Sequence, residues 1–118
     1  MGDLTAKFSL AEFRCRCGCG GDHIDMKLVH ALQQLRDIIG RPLWVNSGFR
    51  CARHNRIVGG APASQHTLGR AVDVRGAPVS TIVAAAMQVP AFRAGGIGAY
   101  REWVHLDVRD GRARWVRR

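Results

Sequence analysis

Trp103 to Arg109 reads WVHLDVR, a strict apolar/polar alternation that an extended chain sorts onto two faces. In a strand Val104, Leu106 and Val108 point one way and His105 and Asp107 the other, so the segment demands a sheet with one dry face and one polar face. Arg70 to Arg75, RAVDVR, repeats the pattern, with Asp73 opposed to Val72 and Val74. If the two strands are neighbours, Asp73 and His105 share the polar face. The apolar face is then left for helices to cover.

Helix signals supply that cover. Asp25 can cap a helix in which Leu28, Val29, Leu32, Leu35, Ile38 and Ile39 recur at three- and four-residue spacing, until Gly40 and Pro42 stop it. Ser80 can cap a second, Thr81 to Val89, which Pro90 closes. Ser9 and Glu12 form a capping box that starts a short turn through Phe13. Leu43 to Asn46 and Gly96 to Tyr100 read as short strands, and Ser47 to Ser64 as loop with one helical turn near Cys51 to Arg56. Asp110-Gly111 is a hairpin signal that predicts Arg112 to Val116 returning antiparallel to Trp103 to Arg109. The expected class is α+β: a small, mainly antiparallel sheet with a polar site on one face and helices on the other.

The 118 residues suit one domain spanning 1–118, and 47% hydrophobic with 23% charged residues excludes disordered and repeat architectures. No apolar run approaches the ~20 residues of a membrane span, and the start lacks a signal-peptide pattern, so synthesis is expected in the cytoplasm. Eighteen Lys and Arg against nine Asp and Glu give +9, with Arg112, Arg114, Arg117 and Arg118 the densest run. Such a chain seeks anionic partners: nucleic acid, an acidic cell-wall polymer or a membrane surface. With no recognition helix or aromatic stacking motif, no specific nucleic acid is expected.

His66 enters by the loop just before Asp73. Together with His105 it brings three N/O donors to one point. Zinc accepts this set, and three protein ligands with a fourth position left to water is the pattern of a catalytic ion.

The surrounding letters extend the pattern. Ser64 to Asp73 reads Ser-x-His-x-x-Gly-x-Ala-x-Asp, and this resembles the metal-binding motif of the zinc D-Ala-D-Ala carboxypeptidase family, peptidase family M15. Ser47-Gly48-Phe49-Arg50 and Asn55 to Ala61 look like that family's approach to the motif. Gly95 to Gly98 and Trp103 to Asp107 look like its last-ligand strand, so the resemblance runs from about Phe8 to Trp115. It implies a zinc peptidase of bacterial peptidoglycan stem peptides with His66, Asp73 and His105 as ligands. The small size resembles the phage and prophage endolysin branch, a monomer that acts on the cell wall after release. The bond cut is left open among D-Ala-D-Ala, L-Ala-D-Glu and the cross-link. A non-catalytic zinc-containing wall-binding or virion module is the alternative.

Hydrolysis also needs a proton acceptor that is not itself a ligand. Glu102-Trp103-Val104-His105 is similar to the Glu-x-x-His pattern of some branches, where the Glu is the base, and Glu102 is the favoured candidate. Strand parity turns Glu102 away from His105 unless a bend intervenes. Asp107 has the right parity but sits about 7 Å along the strand, and is the other candidate for base or an orienting partner of a ligand imidazole. Arg50 matches an arginine for which the resemblance implies binding of a substrate carboxylate or polarising of the scissile carbonyl. Ser64 and Gln65 are candidates for substrate hydrogen bonds or for loop capping.

His23, His30 and His54 carry no motif, and Trp44, Trp103, Trp115 and Tyr100 read as packing or rim aromatics. Cys15, Cys17, Cys19 and Cys51 do not match the usual Cys-x₂-Cys zinc pairs. Reduced, idle thiols are the favoured state; a disulfide from one of the first three to Cys51 and a second zinc held by four thiolates stay open.

Overall fold

The computed structural model describes residues 7–117; residues 1–6, read above for a leader signal, and Arg118 of the basic tail lie outside them. Ser9 opens a 3-10 turn, Leu10–Phe13, where Glu12 Oε2 accepts from Ser9 N at 2.8 Å as the capping box requires. Helix α1, Met26–Ile39, begins where Asp25 Oδ1 accepts from Lys27 N at 2.9 Å. It ends at Gly40, whose φ of 73° reverses the chain in a conformation that a side chain resists. The remaining elements are β1 Trp44–Ser47, α2 Ala52–Ile57, a 3-10 turn Gln65–Leu68, β2 Ala71–Arg75, α3 Val79–Ala86, α4 Pro90–Arg93, β3 Gly96–Ala99, β4 Val104–Asp107 and β5 Ala113–Val116.

Three local expectations shift. Helix α3 starts from Pro78, not Ser80, because Pro78 supplies the extended entry and Ser80 already lies in the first turn. Helix α3 ends at Ala86, short of the expected Val89, so Pro90 does not close it; Pro90 instead opens α4, at the first-turn position where its missing N–H is harmless. Strand β1 lies one residue later than read.

The strand order is β1-β2-β4-β3-β5. All neighbours are antiparallel except β3 and β5, which run parallel. The expected hairpin between β4 and β5 does not form. Strand β4 has β2 on one edge and β3 on the other, so the returning chain takes the free edge of β3. Gly111 still turns the chain, with φ of 90°. The class is α+β with a mostly antiparallel sheet.

Val72 and Val74 of β2, Val104 and Leu106 of β4 and Ile97 of β3 face one side, where they bury against Leu28, Leu32 and Leu35 of α1, Ile82 of α3 and Phe92 of α4. Each such side chain contributes roughly 1.5–3 kcal/mol by leaving water. The dry face therefore fixes strand register, and a one-residue slip would send Asp73 and His105 into the core.

On the other face the register lines up one row across the sheet: Ser47, Asp73, His105, Gly98, Trp115. Ser47 joins it through a bulge. Val45 pairs with Val74 and Ser47 with Asp73, so Asn46 is the extra residue that lets Val45 face the core and Ser47 the polar side.

Candidate metal centre and cleft

His66 sits on the Gln65–Leu68 turn, which Ser64 caps by accepting from His66 N at 3.2 Å. The ring is buried, and its Nδ1 lies 2.7 Å from Gly48 O. A carbonyl only accepts, so Nδ1 carries the proton and Nε2 is left as the ligand atom. Nε2 is buried and makes no hydrogen bond, although Asp73 Oδ1 lies 3.3 Å away. A buried polar atom without a partner is costly, and a metal ion would satisfy it.

Asp73 and His105 face each other in register across β2 and β4, with His105 Nδ1 3.2 Å from Asp73 Oδ1. Ligand atoms of His66, Asp73 and His105 all lie within 4.8 Å of one another. Burial pushes the Asp73 carboxyl pKa up, but the flanking imidazoles of His105 and His66 outweigh it and hold Asp73 well below the usual carboxylate range. Two imidazoles and an ionised carboxylate make a donor set that suits zinc.

The second ring nitrogen of His105 is held by Asp107: Nε2 to Oδ2 is 2.7 Å. Asp107 is fully buried, and its oxygens also accept from Gly96 N at 2.9 Å, Arg109 N at 3.1 Å, Arg109 Nε at 2.9 Å and Arg109 NH2 at 2.7 Å. A Cβ on Gly96 would strike this carboxylate, which is why glycine stands there. Burial opposes ionisation of Asp107, yet its partners His105 and Arg109 keep its pKa well below normal. Burial would likewise lower the His105 pKa, and its bonds to Asp107 and Asp73 raise it instead.

Arg50 enters from the β1 side. It donates from Nε to Ser47 Oγ at 3.1 Å, from NH1 to Asn55 Oδ1 at 3.4 Å and from NH2 to Asp73 Oδ2 at 3.2 Å. Buried Asn55 is itself fixed by Nδ2 donating to Ala61 O at 2.7 Å.

A cleft of about 640 Å³ opens over the three ligand candidates. Its walls include Arg50, Ser64, Gln65, Tyr100, Trp103, Arg109, Trp115 and Arg117. Trp115 tilts against His105 with ring centroids 5.0 Å apart and donates from Nε1 to Tyr100 Oη at 3.1 Å. It fits there because Gly98, next in the row, has no side chain to block the indole.

Of the residues singled out by sequence, the structure brings together His66, Asp73, His105, Asp107, Arg50, Ser64 and Gln65. Glu102 stands apart: it is exposed, in the bend between Tyr100 and Trp103, and is not among the residues lining the cleft. Trp115, Trp103 and Tyr100, read as packing or rim groups, are cleft walls. Arg109 was missed, although its position two residues after Asp107 already placed it on the same strand face.

A family model described as Peptidase M15 matches residues 6–107. No curated protein matches the chain. The family match covers most of the sequence and contains all three ligand candidates, so this chain belongs to the peptidase M15 family.

Proposed function

We propose that the protein is a zinc metallopeptidase that hydrolyses amide bonds of bacterial peptidoglycan stem peptides, in the manner of an endolysin. The observation that carries the reading is the buried His66, Asp73 and His105 trio at the floor of an open, arginine-lined cleft. His66 through Nε2, His105 through Nδ1 and Asp73 through Oδ1 would hold the ion. A zinc ion held there would supply Lewis-acid chemistry for activating water at neutral pH.

The chain's own groups do the rest. Asp107 fixes the His105 ring by accepting from Nε2, and Arg109 keeps Asp107 ionised and in place. Arg50 presents a planar cation at the cleft wall, suited to a substrate carboxylate or to the carbonyl oxygen of the bond being cut. Ser64 and Gln65 border the same wall and are the candidates for hydrogen bonds to the substrate. Asp107 is already saturated by His105, Gly96 and Arg109, which leaves Glu102 as the proposed proton carrier. Its bend is flanked by Tyr100 and Trp103, both of which line the cleft, and this adjacency supports the assignment.

Stem peptides carry free carboxylates, and a cleft bordered by Arg50, Arg109 and Arg117 in a +9 chain attracts them. Retention of Arg50 and an open cleft favours catalysis over a purely wall-binding module. Incubation with purified peptidoglycan, followed by mass analysis of released fragments, tests the reading and identifies the bond. Soluble fragments with a new peptide terminus, abolished by a chelator, are expected; intact peptidoglycan under metal-replete conditions would contradict the assignment.

A further inference from the structure

Away from the cleft, Cys15, Cys17, Cys19 and Cys51 converge on one point. Their sulfurs all lie within 4.8 Å of one another. The Sγ separations are 3.5 Å for Cys15 and Cys17, 3.9 Å for Cys15 and Cys51, and 3.7 Å for Cys17 and Cys51. All four are free thiols. A disulfide needs about 2.05 Å. A tetrahedral zinc with Zn–S of about 2.3 Å spaces its sulfurs about 3.8 Å apart; Cys15, Cys17 and Cys51 already have that spacing, and Cys19 lies within 4.8 Å of them.

The chain is shaped to make this cluster. Gly18 and Gly20, with φ of 84° and 83°, wrap the CRCGCGG segment, and Cys15 N donating to Gly21 O at 2.7 Å closes it. Cys51 is delivered where Phe49 N donates to Phe13 O at 2.8 Å, an approach so close that a Cβ on Gly48 would meet the Phe13 backbone. Backbone amides then point at sulfur: Cys51 N at Cys15 Sγ (3.5 Å), His54 N at Cys51 Sγ (3.4 Å) and Gly21 N at Cys19 Sγ (3.4 Å). N–H donation to sulfur favours the thiolate, the form that binds metal.

We propose that Cys15, Cys17, Cys19 and Cys51 hold a second, structural zinc ion in a closed tetrathiolate site. Four thiolates around a divalent ion leave a net negative charge, in a stretch that also carries Arg14, Arg16, Arg50 and Arg53. The ion would staple the amino-terminal segment to the loop that carries Arg50, whose neighbour in sequence is Cys51 and whose side chain reaches Asp73. Its role is to fix the wall of the cleft, and it does not depend on the peptidase reading.

The test is metal stoichiometry on the full chain purified under reducing conditions. Wild type should carry two zinc ions, His66→Ala one, and Cys17→Ser one. Cobalt(II) added to metal-free His66→Ala should give the intense thiolate-to-cobalt charge-transfer absorption of a sulfur site. If the cysteine variant fails to fold, mercurial titration of wild-type thiols serves instead, with zinc released in step with four thiols. The proposal is overturned if His66→Ala holds no zinc, if the cobalt form lacks thiolate charge transfer, if thiols titrate without zinc release, or if the cysteines prove to be paired as disulfides.

Discussion

His105 donates from Nε2 to Asp107 Oδ2 at 2.7 Å, so the ring is turned with Nδ1 toward Asp73 and the cleft. A strand would place side chains two apart on one face but not in contact; Arg109 and the Gly96 amide draw the Asp107 carboxylate back against the ring. Asp107→Ala frees the imidazole to rotate. Its expected effect is a 10–100-fold weaker metal affinity at the His/Asp site, measured by competition with a chromophoric chelator. Unchanged affinity would remove Asp107 from the positioning role.

Gly98 is the gap that lets the Trp115 indole lie against His105. Gly98→Val puts branched carbons where the indole stands. Overpacking of this kind costs about 1–3 kcal/mol, and the displaced indole loses its Nε1 bond to Tyr100. A lower Tm and a changed tryptophan emission are expected, with activity falling alongside. A variant with wild-type emission would show that Trp115 needs no such gap.

Metal affinity at the His/Asp site should fall with acidification. The His105 pKa is raised by Asp107 and Asp73 against the opposing effect of burial, so in the metal-free chain a proton occupies Nδ1 at a higher pH than on a free imidazole. Binding displaces that proton. Affinity is therefore full above the His105 pKa and declines as pH falls through it. Asp73 and Asp107, with pKa values shifted well down, stay ionised across this window and do not produce the decline. Chelator competition over a pH series that starts well above the ordinary imidazole range and descends through it reads the effect; a flat profile would contradict it.

Glu102→Gln should retain metal and lose most turnover, since the amide cannot take a proton. General bases of this kind contribute typically 10²–10⁴-fold. Elemental analysis beside fragment-release rates separates the two effects, and full activity would take the proton-carrier role away from Glu102.

The grouping of His66, Asp73 and His105 was legible because it obeys local rules. Strand parity put Asp73 and His105 on one face if the strands are neighbours, and a hydrophobic face on each strand excluded one-residue slips; the register itself is seen only in the structure. The same parity made Asp107 a candidate partner of a ligand imidazole or a base; its contact with His105 comes from Arg109 and the Gly96 amide, which parity does not supply. Where partners are chosen globally, the letters were silent. Nothing in Ala113 to Val116 says that β4 has no free edge, so the Asp110-Gly111 turn was read as a hairpin when β5 in fact pairs with β3. The bulge at Asn46 leaves no local signature, yet it places Ser47 under Arg50. The Cys-x-Cys-x-Cys run suggests no metal by spacing, because its geometry comes from two left-handed glycines and a distant fourth cysteine.

The most direct measurement pairs zinc content with peptidoglycan fragment release in wild type and His66→Ala. Removal of this one imidazole is predicted to abolish release and to lower bound zinc by one ion per chain while the fold persists by circular dichroism. Release at the wild-type rate from a folded His66→Ala protein would contradict the account.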